Sequence, residues 1–188
     1  KGEGIKPLIG IEAYIHNGEE LGDKSTKQRF HLILIAKNET GYKNLMYLSS
    51  MSYIEGFYYY PRINKKILKE HSEGLVCSSA CLQGEVSWHL NLSERNVKFG
   101  AKGYERAKEV ALEYKEIFGD DFYLEIMRHG IGDQRRIDDD ILRIAKETGI
   151  KVIATNDTHY TFKERAAAHE VFMCIAMNKT LDDPNRLR

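Results

Sequence analysis

The chain has 188 residues, of which 28 are basic and 28 acidic, so its formal net charge is zero, and 42% of its residues are hydrophobic. This length and composition are typical of one globular domain with a sizeable core. Neutrality excludes nucleic-acid binding by bulk charge alone, although a local basic patch stays open, and no run approaches the ~18–20 apolar residues of a membrane span.

The beginning of the chain and its cysteines bear on its cellular context. Residues 1–4 lack the charged and apolar regions of a signal peptide, and the first residue is Lys1 rather than Met. We therefore expect the chain to begin at a processing site or within a longer protein. Three cysteines, an odd number, favour a reducing cytosol over a disulfide framework, which predicts a cytoplasmic protein.

Apolar runs and helical spacing predict eleven elements. In chain order these are strand 5–15, strand 30–36, helix 42–54, helix 63–70, strand 74–79, helix 84–92, helix 101–118, strand 122–127, helix 134–147, strand 151–155 and helix 163–177. Strands separated by helices are typical of an α/β fold with parallel pairing. An eight-stranded barrel usually needs ~250 residues, so the chain is short for one.

The clearest candidate for chemistry follows strand 151–155. Asp157 and His159 place a carboxylate and an imidazole together at the carboxyl end of a strand, where ligands bind in α/β folds. Such mixed N/O ligation suits Zn²⁺, Mn²⁺ or iron. The alternative is that Asp157 caps the following helix and His159 lies on the surface.

Three further residues are candidate ligands. Cys81 follows strand 74–79 as a thiolate ligand, a nucleophile or a small buried hydrophobe. Glu12 is a lone carboxylate in an apolar strand, so it meets a cation or faces water on an edge strand. His31 is a ligand or a core histidine, and its place at the start of its strand fits a shared site less well than a place at the end.

Other polar residues give weaker signals. Glu125 and His129 lie on and after strand 122–127, and each is a ligand, a group that supports a ligand, or a substrate contact. We expect residues 138–140 to form a solvated helix face, because consecutive residues do not share one side of a helix. We also expect three histidines to be solvated, namely His16, His71 and His89.

Two sets of residues are expected to pack rather than to react. Cys77 and Cys174 are predicted to lie in the core. The aromatic run at residues 57–60 has the side chains to stack bases, but burial in a packed loop is the favoured interpretation.

Six blocks of sequence together resemble a known family. They are GIKPLIGIEAY at residues 4–14, HLILIAKNETGYKNL at 31–45, GLVCSSACLQGE at 74–85, YLEIMRHG at 123–130, ATNDTHY at 154–160 and KTLDDPNRLR at 179–188. In this order they closely resemble the PHP (polymerase and histidinol phosphatase) domain, in the form found in the α subunits of bacterial replicative DNA polymerases. The resemblance covers essentially the whole chain, so one PHP domain is expected over residues 1–188.

The resemblance implies a fold and a set of metal ligands. The fold is a distorted, TIM-like (β/α)7 barrel with up to three divalent metal ions, Zn, Mn or Mg, at the carboxyl ends of its strands. Transferred residue by residue, the ligands of the family fall on Glu12, His31, Cys81, Asp157 and His159. Glu85 and His129 match recurring family positions and are expected to support a ligand or to contact substrate.

The sequence also departs from the family. An opening H-x-H block and a D-H block would lie before Lys1, and a polymerase palm would lie beyond Arg188. We therefore expect the central and C-terminal part of a PHP domain, incomplete at its N-terminus, with weak or no nuclease activity by itself.

The resemblance implies an enzyme, a DNA-directed DNA polymerase that binds DNA and other replicase subunits and has no membrane partner. Its PHP domain is then a metal-dependent 3′→5′ exonuclease, or else a scaffold that braces the polymerase and docks a separate proofreading exonuclease subunit. A free-standing PHP phosphoesterase is a more remote alternative, against which the LDDPNRLR ending argues.

Overall fold

The structure, a computed structural model, describes residues 2–186. The chain forms two compact units that join between Thr155 and Asn156. Lys1 and the last two residues of the KTLDDPNRLR block, Leu187 and Arg188, lie outside the described residues. The extent of a single PHP domain over residues 1–188 stays a prediction.

The first unit is built on one mixed sheet. Its strands are β1 (Gly10–His16), β2 (Phe30–Ala36), β3 (Ile63–Asn64), β4 (Leu75–Ser78), β5 (Phe122–Ile126) and β6 (Lys151–Ala154). They lie in the order β3-β1-β2-β4-β5-β6, and the sheet is not closed. The α/β class is confirmed, and the architecture is consistent with the PHP-type barrel that the resemblance implies.

Seven α-helices accompany the strands among residues 2–186. They are α1 (Glu39–Ile54), α2 (Lys65–Glu70), α3 (Glu85–Leu90), α4 (Glu94–Lys98), α5 (Tyr104–Phe118), α6 (Gly132–Thr148) and, in the second unit, α7 (Ala166–Ala176). The Asn38 side chain caps α1 by accepting the Gly41 N–H at 2.9 Å. Gly149 ends α6 in the left-handed conformation that favours glycine. In the part of the chain that the structure describes, no helix has the length and apolar content to cross a membrane.

Most predicted elements are confirmed, with shifted boundaries. Strand 5–15 begins only at Gly10, and helix 63–70 starts as strand β3 before it becomes α2. The short helix α4 was not predicted from the sequence. The last predicted helix begins as a 3-10 turn at Lys163–Arg165 before α7.

The prediction of parallel pairing is wrong for β2. This strand runs antiparallel to both β1 and β4, whereas β1–β3, β4–β5 and β5–β6 are parallel pairs. No helix separates β1 from β2, so the chain reverses between them without a crossover. The start of β2 therefore lies at the edge where β1 and β4 end, which accounts for the position of His31.

One face of the sheet carries the apolar core. The register aligns Leu34 of β2 with Cys77 of β4 and Cys77 with Phe122 of β5, and all three side chains are buried. Helices α1, α2, α3, α5 and α6 contribute buried side chains to the same hydrophobic cluster as this row. Cys77 is a core residue as predicted, and Cys174 is buried in α7.

Several polar residues lie deeper than predicted. His16 and His89 are buried rather than solvated, and burial lowers the pKa of both imidazoles. Asp138 is also buried, and its carboxylate pairs with Arg128 Nε at 2.9 Å. These groups are accommodated because the folded chain supplies hydrogen-bond or ionic partners that sequence spacing does not reveal.

The aromatic run at residues 57–60 departs from prediction in the opposite direction. Phe57, Tyr59 and Tyr60 are exposed, while Tyr58 is half-buried. The interpretation of this run as a buried loop is therefore wrong.

Candidate metal centre

The face of the sheet opposite the core carries polar side chains. Glu12 pairs across the ladder with Ile33, Ile33 with Ser78, and Ser78 with Tyr123, so these residues form one row on that face. Glu125 lies two residues beyond Tyr123 on the same strand and therefore shares the face. The candidate site occupies this side of the sheet.

Three potential ligands meet on the polar face. Glu12 Oε1 lies 2.5 Å from His31 Nδ1, and Cys81 Sγ lies 3.6 Å from the same nitrogen. One ligand atom of each residue falls within 4.8 Å of the others, the one such group found among residues 2–186. Tyr14 lies opposite His31, and Glu12 is two residues before Tyr14, so Glu12 and His31 are diagonal neighbours on one face. We call Glu12, His31 and Cys81 the ligand triad.

A tight loop after β4 delivers Cys81 to the triad. Ala80 adopts a left-handed conformation with φ 59°, which is uncommon for a residue other than glycine and stores strain. Gly84 closes the loop, and a Cβ there would lie 1.9 Å from the Ser79 carbonyl oxygen. The His31 N–H then donates to the Gln83 carbonyl at 3.1 Å, which joins this loop to the start of β2.

Glu125 of the neighbouring strand β5 fixes the conformation of the same loop. Its buried carboxylate accepts hydrogen bonds from the Ser78 hydroxyl, from the Ala80 N–H at 3.3 Å and from the Thr155 hydroxyl at 2.5 Å. Its own N–H donates to the Ser79 hydroxyl at 2.9 Å. With these donors the carboxylate supports the Cys81 loop, which is one of the three roles that the sequence left open for Glu125.

Glu12 and Cys81 together stabilise the protonated form of the His31 imidazole. Burial lowers the pKa of His31, but hydrogen bonds to Cys81 and Glu12 outweigh it and raise that pKa to about 9. A divalent cation would replace this proton, because metal binding requires deprotonated ligands. Ligand atoms around a tetrahedral ion lie roughly 3.4 Å apart. The 3.6 Å between Cys81 Sγ and His31 Nδ1 is close to this spacing, whereas the 2.5 Å between Glu12 Oε1 and His31 Nδ1 is the length of a hydrogen bond. Carboxylate, imidazole and thiol are all ligands of such ions, so the residues fit a metal.

Glu85 lies outside the triad, in a separate cluster. Its fully buried carboxylate accepts from Asn17 Nδ2 at 2.8 Å and from the Tyr114 hydroxyl at 3.0 Å, and pairs with Lys65 Nζ at 2.8 Å. Every one of these partners is a donor. The surroundings of Glu85 therefore satisfy a carboxylate without a metal.

His129 lies in the exposed loop after β5 and is also outside the triad. Its N–H donates to Gln134 Oε1 at 3.0 Å, and Gln134 Nε2 lies 3.1 Å from His129 Nδ1. These bonds tie the loop to the first turn of α6. A role of Glu85 or His129 toward a ligand or a substrate stays a prediction.

Asp157 and His159 belong to the second unit. His159 Nδ1 lies 3.6 Å from Asp157 Oδ1, so the carboxylate and the imidazole are side by side as expected. The N-cap of α7 is Arg165, so Asp157 does not cap that helix. The His159 ring lies 5.9 Å from the ring of His169, a further potential ligand that the sequence analysis did not single out. That Asp157 and His159 complete the centre of the ligand triad stays a prediction.

Comparison with known proteins identifies the family. A profile of the PHP domain matches residues 1–129, more than half of the chain. The chain belongs to the PHP family. PHP domains are generally metal-dependent, and in this PHP domain Glu12, His31 and Cys81 form a possible metal site.

Several curated relatives of this PHP domain share one name, DNA polymerase III subunit alpha. The chain is 76% identical over its whole length to that protein of Campylobacter jejuni and 67% identical to that of Helicobacter pylori strain 26695. The protein of Borreliella burgdorferi is 45% identical, again over the whole chain. The chain spans 16% of the length of each of these relatives.

Proposed function

We propose that the protein containing this PHP domain is the α subunit of a bacterial DNA polymerase III. The protein would act in the cytoplasm as a DNA-directed DNA polymerase and bind DNA together with other replicase subunits. The support is the identity of 76% and 67% over the whole chain to proteins of that name.

Within that protein, we propose that the PHP domain is a metal-dependent 3′→5′ exonuclease that removes nucleotides from a DNA end. The ligand triad carries the proposal, because ligand atoms of a carboxylate, an imidazole and a thiol lie within 4.8 Å of one another on the polar face of the sheet. Asp157 and His159 would complete a centre of up to three ions. A thiolate and an imidazole favour Zn²⁺ or Mn²⁺ over Mg²⁺. Such ions activate water and neutralise charge at a phosphodiester.

Other residues of the chain would position the ligands and leave a path for the substrate. Glu125 and the strained Ala80 hold Cys81 in place, so the ligand atoms are positioned before a metal arrives. Glu12 is half-exposed, with 45% of its side chain accessible, so a substrate phosphate can approach the triad from that side.

The test uses the full-length protein and a DNA primer labelled at its 5′ end. We expect Mn²⁺- or Zn²⁺-dependent shortening of the 3′ end that falls by about 100-fold or more in Glu12→Gln, His31→Ala and Asp157→Ala, since loss of supporting groups alone costs about 10–100-fold at metal sites. Glu39→Ala removes an exposed carboxylate of α1 and is the matched control, with unchanged shortening.

Nucleotide incorporation by each variant shows whether the rest of the protein remains intact. If the full-length protein binds no metal and His159→Ala leaves 3′ shortening unchanged, the exonuclease proposal is overturned. The scaffold that docks a separate proofreading subunit would then explain the domain.

A further inference from the structure

An aromatic surface with two cations begins at the ligand triad. The Tyr14 ring lies 5.1 Å from the His31 ring, and Tyr60 meets Tyr14 edge to face at 5.9 Å. The Arg29 guanidinium lies 3.5 Å over the Tyr60 ring, and Lys27 Nζ lies 3.7 Å over the Tyr59 ring. We call these five residues, Tyr14, Lys27, Arg29, Tyr59 and Tyr60, the basic–aromatic strip.

The strip is open to solvent along most of its length. Tyr59 and Tyr60 are 57% and 38% exposed, Lys27 is exposed, and Tyr14 and Arg29 are half-buried. Monomeric proteins bury large aromatic side chains where they can. A row of tyrosines paired with cations at the surface is therefore available to a ligand.

A buried arginine fixes the segment that carries the two cations. Arg62 is fully buried, and its guanidinium donates to the carbonyl oxygens of Asp23 at 2.5 Å, Thr26 at 2.7 Å and Gln28 at 3.4 Å. These bonds hold the connection between β1 and β2 on both sides of Lys27 and just before Arg29. The strip is thus built on an anchored loop, which lowers the entropic cost of binding.

The backbone of the aromatic run is held in an unusual conformation. Tyr59 has φ 61°, in the left-handed region that a bulky side chain rarely occupies. The Tyr58 N–H donates to the Tyr60 carbonyl at 3.1 Å, so Tyr59 lies at the tip of a tight turn. Such strain persists only where the surroundings impose it, and it concentrates at binding sites.

The chemistry of the strip matches a single nucleic-acid strand. Aromatic rings stack on unpaired bases whatever their sequence, and neighbouring cations pair with the phosphates between those bases. A duplex offers no exposed base faces along its length. The carboxylate of Asp23 accepts from Ser25 instead of pairing with Lys27 or Arg29. Asp23 therefore does not neutralise either cation.

We propose that the basic–aromatic strip binds the last nucleotides of single-stranded DNA and directs its 3′ end to the ligand triad. The proposal rests on the proposed exonuclease function and names the surface that holds its substrate. Tyr60 and Tyr59 stack on bases, while Arg29 and Lys27 contact phosphates. Tyr14 spans the gap between the strip and His31.

Photo-cross-linking tests the binding of DNA independently of hydrolysis. An oligothymidylate with 5-iodouracil at its 3′ end is irradiated with the full-length protein in EDTA, and the cross-linked peptide is identified by mass spectrometry. We expect cross-links within residues 57–62 that fall about tenfold in Tyr60→Ala and in Lys27→Ala/Arg29→Ala, since removal of one stacking ring weakens binding by about that factor or more. Tyr60→Phe keeps the ring and the cross-link.

A matched control removes an arginine that stacks on a tyrosine elsewhere. Arg143 lies 4.2 Å over the Tyr104 ring between α6 and α5, and Arg143→Ala is expected to leave the cross-link unchanged. In the presence of metal, Lys27→Ala/Arg29→Ala is expected to raise KM for a single strand about tenfold with kcat unchanged. The salt dependence of binding should fall by about 1.4 in log–log slope, roughly 0.7 for each phosphate that the double variant no longer neutralises.

The outcomes separate this proposal from the one on which it rests. Cross-links at residues 57–62 without hydrolysis in any metal support the strip and overturn the exonuclease function. Hydrolysis that is lost in His31→Ala, but with no cross-link to the strip and an unchanged KM in Lys27→Ala/Arg29→Ala, overturns the strip alone. A cross-link that persists in Tyr60→Ala and in the double variant also overturns it.

Discussion

Two glutamates of the first unit, Glu12 and Glu85, lie in clusters of opposite chemistry. The Glu85 carboxylate is fully buried and receives hydrogen bonds or ionic contact from Lys65, Tyr114 and Asn17. The Glu12 carboxylate is half-exposed and faces His31, which also contacts Cys81. The partners of Glu85 are hydrogen-bond donors, whereas His31 and Cys81 beside Glu12 are potential metal ligands.

The difference teaches how a metal site is recognised in a structure without metal. Burial alone would single out Glu85, whose ionised form pays a large desolvation cost. The ammonium group of Lys65, the phenol of Tyr114 and the amide of Asn17 offset that cost, so the carboxylate needs no metal ion for its stabilisation. At the triad the partners are themselves ligands, and an added positive charge stabilises all three. The nature of the partners, rather than the depth of the carboxylate, decides the role.

The largest expected effect is on stability and separates the two glutamates directly. Glu85→Ala should lower the free energy of unfolding by about 3 kcal/mol, because it leaves Lys65 and Tyr114 without a buried partner. Lys65 still pairs with Glu113 at 2.5 Å, which keeps the loss near the lower end of the usual range. Glu12→Ala should change it by no more than about 1 kcal/mol, since the pair is half-exposed. Urea unfolding followed by circular dichroism measures both, and equal losses would contradict the distinction.

Metal binding should stabilise the protein through the centre that contains the triad and not through the Glu85 cluster. At 100 times the dissociation constant, Zn²⁺ or Mn²⁺ should add about 2.7 kcal/mol to the free energy of unfolding of the unsubstituted protein. Cys81→Ser should lose most of this increment. Glu85→Gln should lower the starting stability but keep the increment, because donors already satisfy the Glu85 carboxylate. An increment that survives in Cys81→Ser would place the metal elsewhere.

Thiol reactivity compares the open face of the sheet with the core beneath it. Without metal, iodoacetamide should modify Cys81 at least about tenfold faster than Cys77. Cys77 is fully buried, and burial, together with the Glu125 carboxylate, raises the pKa of its thiol well above the ordinary value, which suppresses the reactive thiolate. Bound metal should slow the reaction at Cys81. Mass spectrometry of the labelled peptides reports each rate, and comparable rates would show that exposure does not control this chemistry.

The smallest effect concerns Glu147, a carboxylate with donors like those of Glu85 but exposed to solvent. Hydrogen bonds from Lys108 and Arg143 lower its pKa to about 2. Because the pKa is lower in the folded state, the stabilisation is present above the ordinary value of 4.5 and is lost as the pH falls toward 2. Glu147→Gln should therefore destabilise slightly at pH 7, with a difference that shrinks below pH 4.5. Urea unfolding at several pH values tests this, and a difference independent of pH would refute it.

The sequence predicted the features that depend on local pattern. The α/β class follows from alternating apolar runs, and the burial of Cys77 follows from its place inside one of them. Glu12, His31 and Cys81 were singled out by residue type, and the structure brings them together. The PHP resemblance rests on six blocks in order, and the match over residues 1–129 confirms it.

The rest depends on long-range pairing, which residue spacing does not encode. The direction of β2 is set by its ladder to β1 and β4, so the place of His31 at the shared edge was inaccessible from the sequence. The exposure of Tyr59 and Tyr60 follows a turn beside buried Arg62, and the loop that Arg62 anchors lies more than 30 residues earlier in the chain. Likewise, the role of Glu125 needed partners from β4 and from Thr155.

The antiparallel register of β1 and β2 restricts which length changes the chain tolerates. The connection at residues 17–29 can gain or lose residues without altering which side chains face the triad. Within β2, side chains alternate, so one extra residue between His31 and Ile33 would turn either the imidazole or the apolar row toward the wrong side. An insertion of two would restore it. Relatives that keep the ligand triad should therefore differ in the length of β2 only by even numbers of residues, a restriction that the triad does not impose on the connection.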